Sequence, residues 1–231
     1  MKLLNNCYDV PRIEQTEENC GPTALTQLFH YFGINQSVDK TIEQTSMIPG
    51  LGTYDGNLGC TAIKNGFKVT ITPQNWHVFD PTWLSLDKAG LLNKLKARTA
   101  VVKDKHLDAS TKGFIEFLEL GGKLEFKDYS KDLLNEKLTV GPYIVGLCST
   151  YLYGEKRIKN GIKDDVKGDR IGHFVVVDGY NPNTDEFAIK DPWHSIPFSK
   201  DGSYKLKSDR LITAMLLGEA TYDATIVQLY K

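Results

Sequence analysis

The chain has 231 residues, of which 41% are hydrophobic and 25% are charged. It can therefore bury a core large enough for one domain, or for one domain with an insertion. Its 28 basic and 29 acidic residues nearly cancel, which argues against a nucleic-acid partner and against binding to an anionic membrane surface. No apolar run is long enough for a signal peptide or a membrane span. We expect a cytoplasmic protein with a single domain over residues 1–231.

Apolar periodicity in the first half of the chain indicates helices. Apolar residues recur three and four positions apart in three segments, which predicts helices over 20–32, 38–46 and 57–65. Residues 66–72 alternate apolar with polar and predict a strand. Two more helices are predicted over 86–102 and 111–120. We expect the region around 86–120 to be a helical insertion.

The second half is richer in β-branched and aromatic residues, which favours strands. Strands are predicted over 143–147, 174–177, 187–189 and 224–229, with a late helix over 208–217. Residues 154–172 are charged and contain glycine, as expected of a surface loop. Helices first and strands later predict an α+β fold in which an N-terminal helical half packs on a C-terminal antiparallel sheet.

The chain has few cysteines, and their spacing does not match a zinc site. They are Cys7, Cys20, Cys60 and Cys148. Free thiols are the expected state, although the even count also permits one or two disulfides. Three of the four lie in an N-terminal segment, a helix interior and the end of an apolar strand, where packing explains them. Cys20 lies elsewhere, at the start of a predicted helix.

Cys20 is the candidate nucleophile because of that position. Asn19 is a suitable N-cap residue, and Pro22 is compatible only with the first turn of a helix. Unpaired backbone N–H groups and the positive end of the helix dipole then favour the thiolate form of Cys20. A buried apolar role is the common alternative for an isolated cysteine. The setting of Cys20 favours chemistry instead.

A histidine and an aspartate on a predicted hairpin are the candidate base and its orienting group. His173 begins an apolar strand, and Asp191 follows the next strand after a strong turn signal around Pro182. A symmetric turn would place His173 directly opposite Asp191, where the carboxylate could orient the imidazole. A bulge or a slip in register by one residue would separate the two side chains. A strand-end histidine and a turn-forming Asp-Pro are the structural alternatives.

Gln15 lies five residues before Cys20 and could supply an amide to the oxyanion that forms when a carbonyl is attacked. The spacing of Asp191 and His194 suggests a metal ligand pair, but without a third ligand nearby this is weak, and we expect neither metal nor cofactor. Tyr153 and Trp193, with Tyr151, are interpreted as groove walls or as core residues.

Three motifs together resemble the double-glycine (bacteriocin-processing) peptidase-like family of papain-like cysteine peptidases. The motifs are QTEENCGPTAL at 15–25, GHFVVVDGY at 172–180 and IKDPW at 189–193. The resemblance spans nearly the whole chain and implies a papain-like fold. It also implies a nucleophile at Cys20, a general base and acid at His173, an orienting group at Asp191 and an oxyanion donor at Gln15. Transporter-fused members of that family carry membrane spans and a P-loop; this chain contains neither, which indicates a stand-alone member.

From the residues and this resemblance we expect a cysteine peptidase that cleaves peptide or protein substrates through an acyl-enzyme. The same residues could serve an acyltransferase or a deamidase, because the pocket selects the acceptor. A catalytically inactive peptide-binding module is the alternative outside enzymes, and the intact residue set argues against it. The sequence leaves the oligomeric state open.

Overall fold

The structure, a computed structural model, describes residues 7–16, 18–47 and 52–231. In these ranges the helices are α1 Cys20–Tyr31, α2 Val38–Gln44, α3 Asp55–Lys64, α4 Lys88–Val101, α5 Lys105–Glu119, α6 Lys131–Leu138, α7 Ser149–Tyr153 and α8 Ser208–Leu217. The strands are β1 Lys68–Pro73, β2 Lys123–Leu124, β3 Tyr143–Cys148, β4 Ile158–Lys159, β5 Ile162–Lys163, β6 Gly172–Asn181, β7 Glu186–Lys190, β8 Ser203–Lys207 and β9 Thr225–Tyr230. Single 3-10 turns lie at Pro81–Trp83 and Gly218–Thr221.

Side-chain caps fix where several helices begin. Ser37 and Ser130 accept the backbone N–H of the third residue of α2 and α6. Asp87 and Asp104 do the same for α4 and α5, at 2.8 Å each. Each cap satisfies a backbone donor that would otherwise lack a partner. The Asp104 cap explains why α5 begins at Lys105, six residues before the predicted start.

Within the described residues, seven strands form one sheet in the order β2-β1-β9-β3-β6-β7-β8. β1 and β2 run parallel, and every other neighbouring pair in this sheet is antiparallel. β4 and β5 form a separate hairpin inside the segment that was predicted to be a loop. β1 and β2 therefore join a sheet whose other strands all come from residues 143–230.

The described residues bury apolar side chains on both faces of the sheet. Phe174 and Val176 of β6 belong to the cluster that packs against α1, α3, α4 and α5. Val175 and Val177, on the opposite face, pack with apolar residues of α6 and α8. A strand buried on both faces needs a continuous apolar run, which explains the sequence of β6. The α+β prediction is confirmed, with helices on both faces of the sheet rather than on one.

Every predicted helix and strand is present, most with shifted ends, but the prediction missed six elements of the described residues, which are β2, α6, α7, β4, β5 and β8. α6 is short and mostly polar, and α7 has only five residues, so neither has a clear helical period. β8 is an edge strand with lysines at alternate positions, a common feature of exposed sheet edges. Among the described residues, no helix combines the length and apolar character needed to cross a membrane.

Candidate functional site

Cys20 is the first residue of α1, a helix that packs against β6, and its side chain is half-buried. Asn19 is the N-cap residue, but its side chain does not cap a backbone N–H of the helix. Its oxygen accepts the Thr23 hydroxyl at 3.2 Å, and its amide donates to the Thr16 hydroxyl at 3.3 Å. Asn19 therefore braces the chain on both sides of Cys20 through side-chain contacts.

His173 connects Cys20 to Asp191. It is the second residue of β6 and is 6% exposed. Its Nε2 lies 2.8 Å from Oδ1 of Asp191, and the Cys20 side chain lies near enough to the same imidazole to contribute to its pKa. Because Asp191 occupies Nε2, Nδ1 is the nitrogen left for the sulfur. His173 therefore lies between Cys20 and Asp191.

The hairpin that brings His173 to Asp191 differs from the predicted one. Asn181 pairs with Glu186 around a four-residue turn, and the register shifts between Val177 and Gly179. Beyond that bulge Val176 pairs with Lys190, so continuing the ladder puts Val175 opposite Asp191. The prediction that His173 stands directly opposite Asp191 is wrong. The displacement is two residues, which keeps both side chains on one face as diagonal neighbours.

The Asp191 side chain has no exposed surface, and the described part of the chain surrounds it with donors. Oδ1 accepts the His173 imidazole and the backbone N–H of Trp193, the latter at 2.9 Å. Oδ2 accepts the hydroxyl groups of Tyr153 at 2.8 Å and of Tyr204 at 2.6 Å. These bonds come from α7, β6, β8 and the turn after β7. They fix the plane of the carboxylate relative to the imidazole.

Charge in the site favours a protonated imidazole beside an ionised carboxylate. Burial alone would lower the pKa of His173, but the negative charge of Asp191, together with the neighbouring Cys20, raises it to about 10. Burial would raise the pKa of Asp191, but the charge of His173 and the surrounding donors lower it below its usual range. The pair is therefore charged in the neutral pH range.

Arg12 ties the N-terminal segment to the turn that contains Asp191. Its Nε donates to the carbonyl oxygen of Asp191 at 3.0 Å, and its Nη2 donates to that of Trp193 at 2.8 Å. Gly202 has a left-handed φ of +73°, and a side chain there would collide with the Arg12 guanidinium. The backbone N–H of Gln15 donates to the carbonyl of Pro192 at 2.8 Å, and its side chain is buried. Gln15 is thereby held next to the Asp191 turn.

A second buried carboxyl group lies beside the start of β6. Asp223 fills the space next to the Cα of Gly172, so a side chain at position 172 would overlap its carboxylate. Burial and the charge of Asp55 raise the pKa of Asp223 to about 8, although Thr221 and His173 act to lower it. Burial likewise raises the pKa of Asp55 to about 7. The pKa values of Asp55 and Asp223 are thus raised, whereas that of Asp191 is lowered.

The remaining cysteines have structural settings. All four thiols are free, as expected. Cys60 and Cys148 are buried, and burial raises the pKa of Cys60 to about 12. Cys7 is exposed and pairs with Gly179 in an isolated β-bridge.

The remaining four histidines have other partners. His30, His77 and His106 contact Gln36, Glu219 and Tyr54, respectively. The ring of His194 lies 4.2 Å from that of Trp193, centroid to centroid, with the two planes tilted by 42°. The described residues contain no group of three or more His, Cys, Asp or Glu side chains that could hold a metal ion.

Three contributors to the site were not assigned a role from the sequence. Tyr153 was interpreted as a groove wall or a core residue, yet its hydroxyl donates a hydrogen bond to Asp191. Tyr204 belongs to β8, and recognising that strand would have placed it beside β7 and therefore near Asp191. Arg12 lies in an irregular segment with no periodicity, so no local pattern indicates its partners. Long-range hydrogen bonds of this kind depend on the tertiary fold.

Two solved structures resemble this one over most of their length. The peptidase domain of Streptococcus ComA, a bifunctional ABC transporter of a quorum-sensing pathway, has 15% sequence identity and a TM-score of 0.47, covering 95% of this chain and 97% of that one. A double-glycine motif protease from an AMS/PCAT transporter, solved with the leader peptide, has 11% identity and a TM-score of 0.46, covering 97% and 93%. No curated protein sequence matches the chain.

The sequence itself provides the stronger comparison. The family model described as Peptidase_C39 like family matches residues 7–210, which include Gln15, Cys20, His173 and Asp191. The matched region runs from the exposed Cys7 to the beginning of α8. The chain belongs to the Peptidase C39-like family.

Proposed function

We propose that the chain is a cysteine peptidase that hydrolyses peptide bonds through an acyl-enzyme on Cys20. The observation that carries this proposal is the position of His173, whose imidazole is hydrogen-bonded to the buried Asp191 and lies next to Cys20 at the start of α1. A nucleophile next to a base that is itself oriented by a third group is the arrangement that acyl transfer requires. Membership of a peptidase family supports the same reaction class.

In the first half of the reaction, the thiolate of Cys20 attacks the carbonyl carbon of the scissile peptide bond. The imidazolium of His173 then donates its Nδ1 proton to the departing amine, and the C–N bond breaks as the thioester forms. The charge of Asp191 stabilises the imidazolium and so supports the thiolate–imidazolium pair from which the attack begins. The buried, fully bonded Asp191 also keeps Nδ1 directed at the sulfur.

In the second half, neutral His173 accepts a proton from water, whose oxygen attacks the thioester carbonyl. The C–S bond breaks, the acid product leaves, and the thiolate–imidazolium pair is restored. The backbone N–H of Cys20 and the side-chain amide of Gln15 are the proposed donors to the oxyanion in both halves. The bond from the Gln15 backbone to Pro192 supports this role because it holds Gln15 beside the Asp191 turn.

We further infer that residues 1–231 act as one peptidase domain in which α4 and α5 are an insertion that shapes the substrate groove. The contacts of α5 with α3, and of α4 with α5, support a single packed unit. The substrate that this domain would accept is a peptide or an exposed protein segment.

Thiol labelling tests the activated nucleophile. Near pH 6, where an ordinary thiol is largely protonated, iodoacetamide should alkylate Cys20 faster than the more exposed Cys7, as read by mass spectrometry. His173→Ala should remove this difference, whereas Cys7→Ala should leave the Cys20 rate unchanged. Equal rates at Cys20 and Cys7 in the wild type, unaffected by His173→Ala, would show that Cys20 is not activated.

A peptide-library digest tests the reaction itself. The library includes sequences with paired glycines, and Cys20→Ala and Cys7→Ala serve as inactive and active controls. Cleaved products that appear with the wild type and Cys7→Ala, but not with Cys20→Ala, support the peptidase. Binding without products would indicate a peptide-binding module, and products joined to an added amine would indicate an acyltransferase.

A further inference from the structure

The two oxygens of Asp191 have different partners. Oδ1 accepts hydrogen bonds from the His173 imidazole and from the backbone N–H of Trp193. Oδ2 accepts hydrogen bonds from two phenol hydroxyls, that of Tyr153 at the end of α7 and that of Tyr204 in β8. The tyrosine hydroxyls thus bond the carboxylate oxygen that is not bonded to the imidazole. They contact Asp191 from two elements that are far apart in sequence.

These phenols can act only as donors to Asp191 over the working pH range. Burial and the charge of Asp191 raise the pKa of Tyr153 and of Tyr204 well above the usual value for tyrosine, so both hydroxyls keep their protons. A hydrogen bond to the charged form of a carboxyl group stabilises that form. Two such bonds to one oxygen therefore favour an ionised Asp191.

The tyrosine rings also separate Asp191 from solvent. They border an open cavity of about 470 Å³ whose other walls include Phe198, Lys205 and Arg210. Phe198 packs against both rings, at 5.0 Å from Tyr204 and 6.2 Å from Tyr153. The hydroxyls consequently supply the hydrogen bonds that water would otherwise supply, with a fixed direction. A fixed donor set stabilises charge without reorganising during the reaction.

We propose that Tyr153 and Tyr204 are positioning residues whose hydroxyls keep Asp191 ionised and keep its Oδ1 directed at His173. This inference rests on the proposed function, since it concerns how Asp191 serves His173 and Cys20. The tyrosines touch neither the nucleophile nor the scissile bond in this scheme. The Tyr153 ring also contacts the His173 ring, with centroids 6.2 Å apart, so the proposed role belongs to the two hydroxyls, which act through Asp191.

The test uses Tyr153→Phe, Tyr204→Phe and the double variant in the full chain. Each change removes a hydroxyl and keeps the ring that packs beside Phe198. Tyr180→Phe is the matched control, because its hydroxyl also donates to an aspartate, Asp185 at 2.8 Å, but at the hairpin turn away from the site. The first readout is the pH profile of Cys20 alkylation. The second is the titration of the Asp191 carboxyl carbon by NMR in a Cys20→Ala background, assigned with Asp191→Asn.

Loss of the hydroxyls should raise the pH at which Asp191 takes up a proton. We expect a shift of about one pH unit in the double variant and a smaller one in each single variant. The acid limb of the alkylation profile should move the same way by about one pH unit, so that labelling falls by up to about tenfold on that limb and changes little at neutral pH. Tyr180→Phe should change neither readout.

An Asp191 titration that is the same in the wild type and the double variant would overturn the proposal. So would an equal loss of labelling at every pH with a lowered melting temperature, which is the result expected if the rings serve only packing. The NMR titration does not require a reactive Cys20. A shifted Asp191 with an unreactive wild-type Cys20 would therefore contradict the proposed peptidase and leave the positioning role standing.

Discussion

Asp191 and Asp55 are both carboxyl groups without exposed surface, yet they are in opposite charge environments. Asp191 is contacted by an imidazolium, two phenols and a backbone N–H, and its pKa is lowered. Asp55 accepts the backbone N–H of Gly56 at 2.8 Å, and burial raises its pKa to about 7. Asp223, near the same site, has a pKa raised to about 8.

The difference shows that burial does not by itself decide the charge of a group. Removing a carboxylate from water costs several kcal/mol, and only close donors and opposite charge offset that cost. Asp191 has both, and it is the aspartate that contacts His173. The partners of a buried carboxyl group are therefore better evidence of a role in the proposed chemistry than its burial is. The predictions that follow test this contrast from the largest expected effect to the smallest.

Asp191→Asn should have the largest effect on activity. The amide keeps the size of the side chain but removes the charge that stabilises the His173 imidazolium. We expect kcat/KM for a cleaved peptide to fall by about 100- to 10,000-fold, the usual range for loss of acid–base function. Asp185→Asn, which alters an aspartate at the β6–β7 turn, is the control and should stay near the wild-type rate. A loss of less than about tenfold would show that Asp191 is not needed to orient His173.

The carboxyl groups of Asp55 and Asp223 should make the folded chain less stable as pH rises. In the unfolded chain both titrate near 3.9, so between that pH and their folded values the folded state binds more protons. The free energy of unfolding then falls from about pH 5 to about pH 9, by on the order of 7 kcal/mol. Thermal unfolding followed by circular dichroism at a series of pH values measures this.

Asp55→Asn is the variant that isolates the effect, because it removes a titrating group and keeps the shape. We expect a flatter dependence of melting temperature on pH and activity within a few-fold of the wild type. An unchanged pH dependence would mean that Asp55 does not titrate in this range. Asp185→Asn is again the control, since hydrogen bonds from Ser208 and Tyr180 lower the pKa of Asp185 rather than raise it.

Gly172→Ala should disturb the site by displacing Asp223. The added methyl group overlaps the Asp223 carboxylate, so either that side chain or the start of β6 must move. We expect a loss of about 1 to 3 kcal/mol in the free energy of unfolding, the usual cost of overpacking a buried site. Gly172→Ala combined with Asp223→Gly should recover much of this loss in urea unfolding. Failure to recover it would place the clash elsewhere.

Arg12→Gln should have the smallest of these effects on stability. It removes charged donors from the carbonyls of Asp191 and Trp193, and a typical hydrogen bond to a charged group contributes about 1.5 to 3 kcal/mol. Because Arg12 is partly exposed and water can replace it, we expect about 1 kcal/mol, with a several-fold lower kcat/KM. Arg157→Gln, which alters an arginine bonded to a carbonyl in the exposed 154–172 segment, is the control. Equal effects of the two changes would exclude a specific role of Arg12 at the site.

The sequence was informative where a residue's role depends on its near neighbours. The first residue of α1 was predicted from the apolar period and Pro22, and the strands around His173 and Asp191 were predicted from their composition and the turn signal. The contact between His173 and Asp191 was predicted for a reason that was partly wrong. A longer turn and a bulge shift the register by two residues, and only an even displacement keeps both side chains on one face.

Other features were not accessible from local sequence. A turn signal does not specify how many residues the turn contains, and a bulge at Asp178 has no distinct pattern in an apolar strand. The contacts of Tyr153, Tyr204 and Arg12 with Asp191 or its turn span 38, 13 and 179 residues. They form only when α7, β8 and the N-terminal segment pack around the end of β7.

The sequence by itself determined the α+β fold class, the helix start at Cys20 and the hairpin that contains His173 and Asp191. Each of these follows from periodicity, capping and turn chemistry within a few residues. The tertiary structure alone decided the register of that hairpin and the donors around the Asp191 carboxylate. It also decided which buried aspartates keep a low pKa. These features depend on distances between remote segments, and both hydrogen bonding and electrostatic interaction vary steeply with such distances.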